Sequence, residues 1–476
     1  MNWFLRKRAR TFVSLVLSLS IVLVAVSSIG AQSSGVGESG KDSVAVSSGR
    51  TSAVTEPVVS TLTPMLARYF DPVQGASSND LVRRALASNA ELAAARLDIE
   101  RARARLSQAG LRPNPTLDFE QTTGRFTGAA GESEVSVGLA VPLELGGKRR
   151  RRIELARAEF EAAGAEVADR ERRLANDVRA LYAEALASIR ELGTLEELNN
   201  IDLQTTRFIQ ARVNEGETAP IELNQLRVEV ERLRSRRALV EGRLQASLLK
   251  LKSLTGVPAN ELVRLREDIA SPGLAPPPTS LEAATDIALR SRPDLKLARL
   301  NVEVAQAGLR LARSYAVPDV TAFTKYSQGR SVFDDTPVGV LTDRDKLVTF
   351  GVSVGIPIFN RNQGAKAEAT AAIIQAERRL EFVEAIVRSE VQSAFARYEA
   401  ARAAVSTFEQ GVIPRSTENI RTIRAAYQIG AFSITDLLVE QRRLVDAQRE
   451  FTEALAEQYR ALADIQAAIG AVPNQP

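Results

Sequence analysis

The sequence predicts a mainly helical protein with membrane β-strands, in which one unit of helix, two strands and a long helical hairpin occurs twice. Three observations predict this fold class: the duplication itself, strands that are apolar on one side only, and very long helical runs. Pro142 and Pro357, each near the end of a strand, lie 215 positions apart. Gly216 and Gly430, each interrupting a helical pattern, lie 214 positions apart. Because repeats determine the architecture of a chain, the duplication is the first guide to this fold.

The N-terminus of the 476-residue chain has the layout of a secretory signal peptide. Basic residues precede an apolar stretch from about Phe12 to Val26, and small residues follow it. We expect cleavage after Ala31, so that residues 1–31 form the signal peptide. A single membrane anchor is the alternative, but the apolar stretch is shorter than the ~20 residues that a spanning helix needs. Residues 32–78 lack sustained periodicity and are expected to be a flexible N-terminal segment.

The composition excludes several kinds of functional site. The chain has no cysteine and no histidine, so it has neither disulfides, nor thiolate metal sites, nor the commonest general base. The net charge is only +4, and acidic residues alternate with arginine as on a solvated helix face. The one dense basic cluster, residues 148–152, lacks the interleaved aromatic residues of a nucleic-acid site. We therefore expect no enzymatic activity, no cofactor, no bound metal and no nucleic-acid partner.

The first repeat is predicted to span residues 79–268. It opens with a helical pattern over residues 79–108, for which Asn79 is the expected N-cap. Two alternating runs follow, over residues 116–126 and 134–143, and each predicts a β-strand.

The second repeat is predicted to span residues 280–473, after a proline-rich linker over residues 269–279. It has the same order of elements. A helical pattern covers residues 280–313, and alternating runs cover residues 319–328 and 347–359.

The strands have the length and the pattern of membrane strands. Each run is close to the ~9–11 residues that cross a bilayer as a tilted strand. One side of each returning strand is uniformly apolar, and the other carries Ser, Gly, Thr or Ala, as in an outer-membrane barrel. An amphipathic hairpin on a soluble core has the same alternation, so the strands alone leave both interpretations open.

The long helical runs favour the membrane interpretation. Over residues 148–213 no proline occurs, and apolar residues recur at alternating steps of four and three, the spacing of a coiled-coil seam. The same spacing recurs over residues 387–412, after which Pro414 is expected to kink the helix. Helices of this length extend for roughly 90–100 Å. Each is expected to turn at Gly216 or Gly430 and to return as a hairpin, forming a conduit or a scaffold.

The number of strands predicts an assembly of several chains. Each chain supplies four strands, whereas the smallest membrane barrels close with about eight. Open strand edges cannot face lipid, because each unpaired backbone group there costs several kcal/mol. Two chains would give an eight-stranded barrel with a filled interior, and three would give a twelve-stranded barrel with a lumen.

The chain resembles the TolC-type outer membrane efflux proteins, and within them the CzcC-like heavy-metal branch. The resemblance extends over residues from about 80 to 473 and is most specific in the duplicated layout. The matching segments are Leu-Arg-Pro-Asn-Pro at 111–115, Val-Pro-Leu-Glu-Leu-Gly-Gly-Lys-Arg at 141–149, Ala-Tyr-Gln-Ile-Gly at 426–430, Ser-Ile-Thr-Asp-Leu-Leu at 433–438 and Ala-Ile-Gly at 468–470.

This resemblance implies a homotrimer with a twelve-stranded β-barrel in the outer membrane and a twelve-helix tunnel in the periplasm. It implies a passive duct that exports substrates, either heavy-metal cations or drugs, delivered by an inner-membrane pump and a periplasmic adaptor. Pro142, Gly146, Gly147 and Pro357 then mark the junction between barrel and helices. The alternative is a periplasmic coiled-coil adaptor or scaffold protein, although an adaptor typically has one hairpin within glycine-rich β domains.

The resemblance also implies a docking site at the tip of the tunnel. Gly216 and Gly430 match the turns at which adaptors dock, and Tyr427 and Phe432 flank the second turn. A glycine there adopts a positive φ without a Cβ clash, although any helix can end at a glycine in this way.

Two carboxylates are expected to form a constriction at the same tip. Asp436 matches an acidic position that rings the closed tip in the family, and Glu222 lies at the same six-residue offset from its own turn glycine. Gathered around a threefold axis, these groups would attract cations, whereas in isolation they are ordinary solvent-facing charges. Phe432 stands where some relatives have arginine, and Val439 where some have aspartate. The chain therefore lacks these two residues of the salt-bridge latch of those relatives, and an apolar seal by Phe432 is the alternative.

Overall fold

The computed structural model describes most of the chain beyond the N-terminal region. The predicted signal peptide lies outside the described residues, as does the first part of the predicted flexible segment. The described residues are 66–126, 131–333, 339 and 341–471.

The architecture is mainly helical and duplicated, as predicted. The first repeat consists of α1 (Ser78–Ser88), α2 (Ala90–Ala109), β1 (Thr116–Thr123), β2 (Ser133–Leu143), α3 (Lys148–Asn214) and α4 (Pro220–Thr255). The second consists of α5 (Leu281–Ser291), α6 (Pro293–Ser314), β3 (Val320–Phe333), β4 (Leu341–Val354), α7 (Gln363–Thr407), a π-helical turn (Phe408–Val412), α8 (Ile413–Gln428) and α9 (Ile434–Ala468). We call α3 with α4 hairpin 1, and α7 to α9 with the π-helical turn hairpin 2.

The start of the first repeat differs from the prediction in two ways. The N-cap of α1 is Ser77 rather than Asn79, because Ser77 and Asp80 form a reciprocal capping box with N···O distances of 3.0 and 3.1 Å. The predicted single helix is also divided at Asn89. The Asn89 side chain accepts a bond from the Leu92 N–H at 2.9 Å and donates one to the Leu254 carbonyl at 3.0 Å, which ties the start of α2 to the end of α4.

We expect Asn89→Ala to lower the free energy of unfolding by about 1–2 kcal/mol. The substitution removes both the helix cap and the partly buried bond to α4. Asn79→Ala is the matched control and should change it by less than ~0.5 kcal/mol, because its side chain makes none of the described hydrogen bonds. Denaturant unfolding followed by circular dichroism measures both, and equal losses would contradict this account of the cap.

The N-terminal segment is packed from the first described residue onward. Tyr69 is buried, and both Phe70 and Ala76 pair with Leu265 as parallel β-bridges. Packed residues therefore occur before the predicted boundary at residue 79, because Tyr69, Phe70 and Ala76 cover part of the core under α1 and α3.

The four strands form one antiparallel sheet in the order β1-β2-β3-β4. The strand predicted over 347–359 instead spans Leu341–Val354, with Leu341 paired to Phe333 and Lys346 to Gln328. The strand starts before the predicted residue 347 because β3 continues to Phe333 and supplies pairing partners as far as Leu341. Beyond Val354 the backbone leaves the sheet before Pro357, which has no N–H to donate.

The sheet has one apolar face, as the alternation predicts. Odd-numbered β2 residues such as Val137 and Leu139 are exposed and lie beside Phe119 and Leu117 of β1. The opposite face of β2 carries mostly small or polar residues, among them the buried Ser136. Among the described residues of the single chain, nothing covers the apolar face.

The two hairpins pack against each other chiefly through α3 and α9 and share a hydrophobic core. α3 is a continuous helix of 67 residues, so it extends for about 100 Å. In hairpin 2 the expected irregularity at Pro414 takes the form of the preceding π-helical turn, because proline cannot donate the bond that α-helical geometry requires. Among the described residues, no helix is both long and apolar enough to cross a membrane.

Candidate functional site

The two hairpin turns have the same backbone geometry. Gly216 has φ 80° and Gly430 has φ 77°, and a Cβ at either position would meet nothing within 4 Å. In hairpin 1 the Glu217 N–H donates to the Arg212 carbonyl at 2.9 Å, and an equivalent bond of 2.9 Å follows Gly430 in hairpin 2. These bonds are those of a Schellman helix end, in which the positive φ is what requires glycine.

The carboxylates predicted at the tip make different contacts. Asp436 is exposed and forms a capping box with Ser433 at the start of α9, and these hydrogen bonds lower the pKa of its carboxyl. Glu222 does not cap α4, although its offset from the turn is the same. Within the described single chain, no hydrogen bond or ion pair joins Asp436 to Glu222.

Glu222 instead connects the two hairpins. The Tyr427 hydroxyl of α8 donates to Glu222 Oε2 of α4 at 3.1 Å. Tyr427 is buried, and burial together with the nearby Glu222 charge raises its pKa to about 12. Two residues predicted to lie at the tip are thus joined by a bond that the sequence did not predict.

An apolar cluster surrounds this bond, and we call it the tip cluster. It contains Ile209, Leu223 and Leu226 of hairpin 1 together with Ile420, Tyr427, Ile434, Leu437, Leu438 and Leu444 of hairpin 2. Beyond it, Ile429 and Phe432 are exposed in the second turn. The tip therefore combines a packed interior with an exposed apolar end.

At the junction between strands and helices, the two predicted glycines are not equivalent. Gly146 has φ 67° and Gly147 has φ 69°. A Cβ on Gly146 would lie 2.8 Å from Val317 Cβ, whereas one on Gly147 would meet nothing within 4 Å. The next residue, Lys148, is buried and its Nζ lies 2.7 Å from Asp319 Oδ1, so the loop is fixed against the turn between α6 and β3.

The rest of the basic cluster is also bonded within the chain. Arg149 Nε donates to the Gly110 carbonyl at 2.7 Å, and Arg150 and Arg151 both pair with Glu154. The guanidinium of Arg152 pairs with Glu144. These contacts give the cluster a structural role in holding the start of α3.

The second junction uses asparagine where the first uses glycine. Asn362 is the N-cap of α7 in a left-handed conformation at φ 58°, and its amide donates to the Ala312 carbonyl at 2.8 Å. Asparagine tolerates this conformation better than other residues with a Cβ, and that preference is the signal that could have identified the position. Pro357 lies just before this turn, and Pro142 lies within β2 opposite Thr321.

The sequence did not predict a group of polar contacts between the hairpins, which are buried or partly buried. The Gln441 amide of α9 donates to Asp202 Oδ1 of α3 at 2.7 Å, and Arg442 lies 2.7 Å from Glu229 of α4. Continuing the steps of four and three beyond Leu195 leads to position 202, so the repeat itself could have revealed a polar residue in the seam.

The chain matches known proteins over most of its described length. The family model of the outer membrane efflux protein matches residues 81–257 and 284–471. The cobalt-zinc-cadmium resistance protein CzcC of Cupriavidus metallidurans is 24% identical over 393 residues, covering 81% of this chain and 88% of that protein. The pyoverdine export outer membrane protein OpmQ of Pseudomonas aeruginosa is 26% identical over 415 residues, covering 82% and 83%.

Solved structures have the same fold. CusC aligns with a TM-score of 0.68 at 20% identity, over 85% of this chain and 94% of that chain. The outer membrane protein VceC of Vibrio cholerae aligns with a TM-score of 0.67 at 18% identity, over 83% and 96%. The duplicated helices and the four-stranded sheet are therefore an arrangement found in experimental structures.

Proposed function

The chain belongs to the outer membrane efflux protein family, and on that premise we propose that three copies form a passive export duct through the outer membrane. It is an outer membrane protein with the fold of a transport channel, which decides against the adaptor or scaffold alternative. We propose further that the duct catalyses no reaction and depends on an inner-membrane pump and a periplasmic adaptor for energy and delivery.

The observation that carries this proposal is the four-stranded sheet with one exposed apolar face. β1 and β4 lie at its edges, and Phe350 on the apolar face is 79% exposed. In lipid such a sheet is stable only if its edges pair with other copies and its apolar side faces outward. Three copies give a twelve-stranded barrel with room for a lumen, and the two hairpins of each copy continue it as a helical tube.

The tip of the hairpins is the proposed docking and constriction site. Gly216, Gly430, Tyr427 and Phe432 supply the turns and the apolar surface for an adaptor. Phe432, being exposed, is available for an apolar contact across the tip, either with an adaptor or with another copy.

Asp436 and Glu222, repeated in three copies, are proposed to make the constriction attractive to cations. Asp436 supports this role because hydrogen bonding by Ser433 lowers its pKa and keeps it ionised. We accordingly propose heavy-metal cations as the substrate class, with drugs as the other outcome of a transport assay. CzcC is named for resistance to cobalt, zinc and cadmium, whereas OpmQ is named for export of pyoverdine.

The domain limits proposed for this duct are those predicted from the sequence. They are a signal peptide at 1–31, an N-terminal segment at 32–78, repeats at 79–268 and 280–473, and a linker at 269–279.

We expect Asp436→Arg to lower the potassium-to-chloride permeability ratio of the channel at least about tenfold. The substitution reverses one charge of the proposed constriction in each of the three copies. Purified protein in planar bilayers under a salt gradient gives this ratio from the reversal potential. Glu197→Arg makes the same charge change on an exposed face of α3 and should leave the ratio unchanged.

The outcomes separate the parts of the proposal. An unchanged ratio in Asp436→Arg, or an equal change in Glu197→Arg, would refute the tip constriction but not the duct. A wild-type protein that forms no cross-linked trimer and no channel would refute the duct itself. Accumulation of zinc or of a fluorescent drug in cells lacking the protein distinguishes the two substrate classes.

A further inference from the structure

From the buried contacts between the hairpins, we infer that Asp202 is a proton-sensitive catch, which holds hairpin 2 against hairpin 1 in acid and weakens that hold as the pH rises. The inference rests on the proposed function in one respect, namely that the hairpins form the tube of the duct, and it adds that their separation at the tip opens that tube. It concerns a residue that lies inside the protomer, away from the carboxylates of the proposed constriction.

The side chain of Asp202 is buried and only half satisfied. The residue is 1% exposed, on the face of α3 that packs against α9. Its Oδ1 accepts the 2.7 Å bond from Gln441, but its Oδ2 is buried and has no hydrogen-bond partner in the described part of the chain. A buried oxygen of this kind is costly when the group is ionised, and much less so when it carries a proton.

No cation among the described residues forms an ion pair with Asp202. Glu229 faces it from α4, Arg424 from α8, and Gln441 from α9. Arg442 follows Gln441 in the chain, but its guanidinium pairs with Glu229 at 2.7 Å rather than with Asp202. Burial therefore dominates and raises the pKa of Asp202 to about 6, with Gln441 and Arg424 lowering it and Glu229 raising it further.

The direction of the pH effect follows from this raised pKa. If hairpin 2 moves away and water reaches the carboxyl, its pKa returns toward the ordinary 3.8. Below about pH 4 the group is neutral in both arrangements, so the packed arrangement keeps its full stability there. Between about pH 4 and 6 the packed arrangement loses stability, and above about pH 6 the loss is complete. The difference of about two pH units corresponds to at most an about 100-fold change in the equilibrium between the two arrangements.

Hairpin 2 contains the break that such a movement needs. The π-helical turn Phe408–Val412 and Pro414 separate α8 from α7, so α8 and the start of α9 can shift without unfolding α7. Hairpin 1 contains no such interruption within α3. The Asp202 contact joins α9 to α3, and the bond from Tyr427 to Glu222 joins α8 to α4.

The test is the pH dependence of hairpin separation in the purified trimer, read by two spin labels. Because the chain has no cysteine, Gln225→Cys in α4 and Thr435→Cys in α9 provide unique attachment points at exposed positions. We expect the long-distance population to rise by up to about 100-fold between pH 4 and 7 in the otherwise unmodified protein. In Asp202→Asn it should stay low at every pH, because asparagine is always neutral and still accepts the bond from Gln441.

Glu197→Gln is the matched control, since it removes an exposed carboxylate from the same helix and should behave as the parent does. The ionisation of Asp436 does not interfere, because its lowered pKa lies below this pH range. A distance distribution that is independent of pH, or one that responds equally in Asp202→Asn, would overturn the catch.

Channel conductance over the same pH range gives a second measurement that distinguishes this inference from the proposed function. Open events that become more frequent with pH in the parent but not in Asp202→Asn support the catch. A channel whose conductance is pH-independent contradicts the catch and leaves the duct intact. Separation of the labels without any conductance at any pH supports the catch and contradicts the duct.

Discussion

Arg292→Met is expected to lower the free energy of unfolding by about 3 kcal/mol, because it removes one partner of a buried ion-pair network. Arg292 is 2% exposed and is the residue that separates α5 from α6. Its guanidinium binds both oxygens of Asp294, at 2.9 and 2.6 Å, and Glu390 of α7 at 2.5 Å. Without it, Asp294 would remain largely buried with no cation bound to it.

The pKa of Asp294 supports this estimate. Burial by itself raises the pKa of that carboxyl, but the hydrogen bonds and charge of Arg292 outweigh the effect and hold it below the ordinary value. Arg290→Met is the matched control, because Arg290 pairs with Asp286 at the surface and its side chain is 77% exposed. It should cost less than ~0.5 kcal/mol. Denaturant unfolding at neutral pH measures both, and a similar loss in the two variants would show that burial of Arg292 contributes nothing.

Gly146→Ala is expected to be far more damaging than Gly147→Ala, although the two glycines are adjacent and have nearly the same φ. An alanine in this left-handed conformation costs roughly 1–2 kcal/mol at either position. Only at Gly146 would the added Cβ also lie 2.8 Å from Val317 and 3.0 Å from the Ser314 carbonyl, so the turn between α6 and β3 must move. We expect that displacement to add about 1–3 kcal/mol.

The displacement should also reduce assembly, because this turn sets where β3 leaves the helices. The fraction of protein that runs as a heat-modifiable oligomer is the measurement, with Gly147→Ala as the control for left-handed strain alone. Equal losses in the two variants would mean that the contact with Val317 is unimportant.

The long-range pattern of this chain was predictable from the sequence, whereas its individual contacts were not. The repeat offset located both hairpin turns, and the positive φ at Gly216 and Gly430 follows from the need to reverse a helix. The bounds of α3 followed from an uninterrupted seam. These features depend on periodicity and on backbone conformation, which the sequence carries directly.

The contacts that were missed depend on partners far away in the chain. Asn89 divides a helix because the Leu254 carbonyl lies within reach, and β4 starts early because β3 is long enough to pair with it. Glu222 and Tyr427 were both expected at the tip, but their hydrogen bond joins residues 205 positions apart. Asp202 was overlooked because charged residues on long helices usually face solvent.

The π-helical turn makes the two arms of the duplication mechanically unequal. A continuous helix resists bending along its whole length, whereas an interrupted one bends at its weakest point and transmits force poorly beyond it. Within each chain, hairpin 1 is thus the stiffer hairpin and hairpin 2 the more flexible one. In the proposed trimer, a pull applied at the tip would bend hairpin 2 at its π-helical turn, while hairpin 1 would keep its shape.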